Sequence, residues 1–135
     1  MDIDVLKDAF AIYREGLAME VKNDFYLYLS AYFVFRSLLA VEEPPQVIKS
    51  TFEMAEVEDI CKKQLEHQKK LYHDNSLHIG LLYMEIVTVI RMFKSRSSEF
   101  NVKKLLKESL RIHELFYTKD SDLYKRLATN ILIQS

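Results

Sequence analysis

Four histidines (His67, His73, His78 and His113) and one cysteine (Cys61) are the side chains in this sequence best suited to metal or nucleophilic chemistry. A metal site inside a helical bundle draws on Glu-x-x-His pairs that project from facing helices. Here Glu66 and His67 are adjacent and point apart on a helix. His73 and His78 flank the turn sequence HDNS, and His113 falls on the apolar stripe of its own segment, which reads as a core hydrogen bond. A single cysteine closes no internal disulfide and builds no cysteine cluster; among apolar neighbours it reads as a small buried hydrophobe. The glycines, Gly16 and Gly80, are isolated, so there is no glycine-rich phosphate loop. Both read as places where helices approach closely. The expectation is a non-enzyme that holds neither metal nor cofactor.

The second kind of chemistry available is charge. Lys103, Lys107 and Arg111 recur at i, i+4 and i+8, with Lys104 beside them and Lys94 and Arg96 just upstream. On a helix this makes one basic stripe opposite Leu106 and Leu110, and such a row can follow phosphates. Glu108 and Glu114 interrupt the same segment, the net charge is −1, and no DNA-binding motif accompanies it. Those features favour a solvated face or an acidic protein surface over nucleic acid. Charge is also divided along the chain: residues 1–60 carry five basic and twelve acidic side chains, a net of −7, and residues 61–135 a net of +6. Two halves that complement each other on packing account for this, as does a basic binding face in the second half.

The elements that must position these residues are helical. Only two glycines and two prolines punctuate 135 residues, and 49% of the side chains are hydrophobic. That is enough for a core and too little turn chemistry for hairpins. The apolar period stays near 3.6. It predicts helices over 4–22, 25–41, from just after Pro45 to 72, 77–93, 102–117 and from 123 towards the end. Asn23 or Asp24, Ser76 and Asp120 are the candidate caps. Within the third helix, KKQLEHQKKLY offers little to a core and should project. The fold class is thus all-α: a six-helix bundle in one domain over 1–135, or two packed three-helix units over 1–73 and 74–135. The second and fourth helices are apolar nearly all round and should lie inside, with Tyr32 and Ile86 at their centres.

The stretch FYLYLSAYFVFRSLLAV at 25–41 raises the question of a membrane. It falls short of the roughly twenty apolar residues that a span needs, and Arg36 within it would cost several kcal/mol near a bilayer centre. Positions 79–93 are shorter and contain Glu85 and Arg91. No membrane span is expected. The acidic opening MDIDVLKD lacks the pattern of a signal peptide, so a cytoplasmic or nuclear location is expected.

The segment AIYREGLAMEVKNDFYLYLSAYFVFRSLL, within residues 9–39, resembles the opening hairpin of microtubule-interacting and trafficking (MIT) domains. It is also similar to tetratricopeptide hairpins. Gly16, Glu20, Phe25 and Tyr32 stand at the MIT intervals of small, acidic, aromatic and tyrosine residues; Tyr28 departs from a position where that family prefers a small residue. The resemblance implies a three-helix scaffold, in tandem if the second half repeats it, that receives a partner helix or peptide between helices without catalysis. The function expected is a protein-interaction adaptor that binds an acidic or amphipathic helical segment of another protein. The partner-binding candidates are Lys94, Arg96, Lys103, Lys104, Lys107 and Arg111, with Phe25 and Tyr28 on the aromatic wall. The alternatives are a small nucleic-acid-associated regulator and a homo-oligomeric assembly subunit.

Overall fold

The computed structural model describes residues 2–93 and 100–134, with side chains described as far as 129. Every described element is a helix: α1 (Ile3–Ala18), α2 (Asp24–Ala40), α3 (Pro45–Thr51), α4 (Met54–Leu71), α5 (Leu77–Phe93), α6 (Val102–Glu114) and α7 (Asp122–Gln134). None of them is long and apolar enough to cross a membrane. One apolar cluster runs from Leu6 in α1 to Leu127 in α7. α5 lies at its centre and packs on α2, α3, α4 and α6, while α1 pairs with α2 and α7 with α6.

Among the described residues the helices number seven where the period predicts six, because the 45–72 segment breaks at Phe52. Phe52 and Glu53 are extended. The Phe52 side chain is buried and stacks on Phe10 of α1, with ring centroids 4.2 Å apart. Burying that ring outweighs the continuity of the helix. α1 also stops early, at Ala18, where the Lys22 ammonium bonds the carbonyl oxygens of Leu17 and Met19 and so satisfies the helix's open end. α6 stops at Glu114, where the Phe116 and Tyr117 amides both turn back to the His113 carbonyl, at 3.1 and 2.8 Å.

The caps are side chains with short reach. Asn23 Oδ1 accepts from the Tyr26 amide at 2.9 Å, Ser76 Oγ from Ile79 at 3.3 Å and Asn101 Oδ1 from Lys104 at 3.1 Å. At α7 the cap is Ser121, which accepts from the Tyr124 amide at 3.1 Å, and not Asp120.

Ion pairs tie the elements together. Arg36 and Glu85, the charges interrupting the two most apolar runs, meet each other between α2 and α5. Arg14 grips Glu56 of α4 with two hydrogen bonds of 2.7 Å. The Tyr13 hydroxyl donates to Asp59 at 2.5 Å, and Lys63 donates to the same carboxylate at 2.7 Å. Burial first, then the bond to Asp59, pushes the Tyr13 hydroxyl well above the usual tyrosine range. Burial pushes Asp59 up, but the bonds from Lys63 and Tyr13 win and hold it below the usual carboxylate range.

Candidate functional site

The residues that suggested chemistry are occupied in separate structural contacts. His67 stacks on Tyr28, and His78 stacks on Tyr72 while its Nε2 meets the side-chain Oε1 of Gln68. His73 Nδ1 accepts from the Asn75 amide at 3.0 Å. His113 is fully buried, with Nδ1 2.6 Å from the Ser109 carbonyl. Since a carbonyl only accepts, that ring nitrogen carries the proton. Ser109 in turn donates to the Gly80 carbonyl at 2.7 Å, where α5 and α6 come close. Cys61 is fully buried, and burial pushes its thiol up to about 12, which makes it a poor nucleophile.

The basic stripe exists as a face. Lys103, Lys104, Lys107 and Arg111 are all exposed on α6, and the three lysines share an open depression with Asn101 and Glu108. Arg111 is engaged by Glu108 at 3.1 Å. Lys94 and Arg96 lie outside the described residues. Phe25 and Tyr28 belong to a different face. α2 packs on α1, α4 and α5, whereas α6 packs on α5 and α7. Tyr28 is half-buried against His67, and Phe25 is 69% exposed in the first turn of α2.

That second face is the larger finding. Steps of four and three along α1 join Val5, Ala9, Ile12 and Gly16 into one ridge, with Met19 just beyond its end. Ala9 and Gly16 are buried, while Val5, Ile12 and Met19 are 41–45% exposed. The same steps along α2 join Tyr26, Ser30, Phe33, Ser37 and Ala40, with both serines buried and Phe33 57% exposed. Small residues at the contact let the two backbones approach. A Cβ built on Gly16 would stand 2.8 Å from the Tyr26 ring and 3.2 Å from the Leu27 side chain. The large residues of each ridge are left on the outer shoulder. Leu29 and Tyr32 widen the apolar strip along α2, and Val21 adds to it in the turn.

This corrects the expectation that α2 is interior on all sides. Ile86 is fully buried, but Tyr32 is 40% exposed. The period over 102–117 sets Tyr117 on the apolar stripe with Leu106, Leu110 and His113 and Phe116 beside it, but both aromatics are exposed beyond the end of α6. The reverse error occurs on α4, where Gln64 and Gln68, expected on a projecting end, are buried. Gln68 Nε2 reaches Gln64 Oε1 at 3.4 Å, and Gln64 Nε2 has no partner among the described residues.

α6 shows what this chain does with a helix side that meets only water: it supplies Lys103, Lys107, Arg111 and Glu114. On α2 the corresponding side carries Phe25, Leu29, Tyr32 and Phe33. A helix that only has to be solvated gains nothing from such residues, and contiguous exposed apolar residues mark contact surfaces. No family model, curated protein or solved structure matches this chain.

Proposed function

We propose that this protein is a non-catalytic helical adaptor that receives an amphipathic helix of a partner protein on the outward face of α1 and α2. The observation that carries the reading is the apolar strip of Phe25, Leu29, Tyr32 and Phe33, bordered by Val5, Ile12 and Met19. A third helix laid along two antiparallel helices buries its stripe at i, i+3/i+4 and i+7. It packs at the usual interaxial distance of about 8–10 Å. Aromatic residues supply the energy of such contacts, and charges at the rim set the register. The resemblance of residues 9–39 to MIT and tetratricopeptide hairpins supports the same mode.

The test is affinity capture from the native cell with the wild-type chain and with a Leu29→Ser/Phe33→Ser variant shown to be folded. The expected result is a protein retained by the first and lost by the second, with the contact confined to one helical segment. Equal retention by both would refute the reading.

The basic face of α6 supports a second contact, to an acidic protein surface. Its four exposed cations and the open depression lined by Lys103, Lys104 and Lys107 favour it. Replacing Lys103, Lys107 and Arg111 together by Ala should slow that association and flatten its salt dependence without unfolding the chain. A nucleic-acid regulator would instead show a steep linear loss of nucleic-acid affinity with salt.

A further inference from the structure

We propose that the helix which docks on the α1–α2 face is basic, with lysine or arginine residues seven apart flanking its apolar stripe. The inference rests on the adaptor reading and adds the partner's chemistry. Asp8 and Glu15 alternate with Val5, Ile12 and Met19 along the outward ridge of α1, and all five are exposed. Neither carboxylate has an ion-pair partner among the described residues. The cations nearby are engaged elsewhere: Arg36 on Glu85, Lys22 on the Leu17 and Met19 carbonyls, Arg14 on Glu56, and Lys7 4.0 Å from Asp4. The rim of the apolar strip is therefore negative and uncompensated. Its two charges stand two helical turns apart, about 10 Å along the axis. A partner helix meets both with cations at the same spacing.

The same rim argues against the other occupants. A second copy brought in by a two-fold axis would set Asp8 and Glu15 of one chain against those of the other, and like charges across an interface are repelled. An anionic lipid surface would be repelled in the same way.

The test uses two synthetic helical peptides of about 18 residues, long enough to lie along α1. They share a leucine face and carry either lysine or glutamate on its flanks. Binding to the full chain is read by fluorescence anisotropy at about 20 mM and about 500 mM salt, spanning Debye lengths from roughly 20 to 4 Å. The expected result is about tenfold tighter binding of the lysine peptide at low salt, shrinking to about twofold at high salt. Asp8→Lys/Glu15→Lys should invert the preference, and Phe33→Asp should abolish binding of both peptides. Equal affinity of the two peptides would overturn the basic partner and leave the adaptor reading standing. If neither binds, or Phe33→Asp leaves binding intact, both fall. They also fall if the chain instead associates with itself or with phosphatidylserine vesicles in a way that Phe33→Asp removes.

Discussion

Phe33 and Phe35 stand two residues apart on one helix and give opposite answers to the same substitution. Phe33 is 57% exposed and Phe35 fully buried. Fully burying a phenylalanine side chain contributes about 1.5–3 kcal/mol, so truncating one that is more than half solvated removes roughly 1 kcal/mol or less. Phe35→Ala removes the whole contribution and leaves a cavity, for a cost of about 3–5 kcal/mol. Against a typical total of about 5–15 kcal/mol, the first loss is minor and the second threatens the fold. For a chain of this length 1 kcal/mol shifts the melting temperature by about 3–5 °C. Phe33→Ala should therefore melt within about 5 °C of wild type, and Phe35→Ala about 10–20 °C below it. The assay is thermal and urea unfolding followed by far-ultraviolet circular dichroism, with protein concentration varied over tenfold. Equal losses for the two variants would refute the reasoning: the outward face of α2 would then be covered in the free protein. A cost for Phe33→Ala that grows with concentration would show that a second copy covers it.

Tyr13→Phe should flatten the pH dependence of stability at both ends. Asp59 is held low, so its stabilisation is present above the unfolded value of about 4 and is lost as pH falls through the lower folded one. Tyr13 is held high, so its contribution is present below about pH 10 and is lost as pH rises further. Parallel urea midpoints for wild type and variant from about pH 2 to about pH 11 would count against the pair. Gly80→Ala should cost more than Gly16→Ala in urea unfolding. The new Cβ at 80 would lie 3.0 Å from Ile112 Cγ2 and 3.4 Å from His113 Cε1, both on fully buried side chains, whereas a Cβ at 16 would meet outer atoms, the ring edge of partly exposed Tyr26 at 2.8 Å and the tip of Leu27 at 3.2 Å, which can yield by a side-chain rotation. Overpacking of about 1–3 kcal/mol then exceeds the helix-propensity gain of about 1 kcal/mol at position 80, and the reverse order of stabilities would contradict it. Gln64→Leu removes a buried amide nitrogen with no partner among the described residues, but also the acceptor of the 3.4 Å bond from buried Gln68 Nε2; the two effects oppose each other, so stability should change by less than about 1 kcal/mol, and a loss above about 2 kcal/mol would mean that the amide is needed.

Helix identity was legible because so little of the sequence breaks a 3.6-residue period. The basic stripe on α6 was legible for the same reason, since i, i+4 and i+8 must share a side. The outward face of α2 was not. A helix apolar on every side carries no asymmetry in its pattern, so its period places Tyr32 and Phe35 alike in a core and cannot say which of them meets water. The ridge of Ala9 and Gly16 on α1 was the available signal, because small residues mark the side where a neighbour comes close, and the large residues next to it then form the shoulder. The break at Phe52 depends on Phe10, 42 positions away, and no local pattern encodes such a stacking partner. Gln64 and Gln68 misled in the other direction, because polar type alone does not reveal that a helix face is covered.

The central claim, that α1 and α2 present a docking face for a helix, is tested most directly by methyl-labelled NMR of the full chain titrated with the lysine-flanked peptide. The methyl groups of Val5, Ile12 and Leu29 should shift together with one saturation midpoint, while those of buried Ile79 and Val89 in α5 stay in place. Shifts confined to Val102 and Leu110 of α6, with Val5, Ile12 and Leu29 unmoved, would contradict the account.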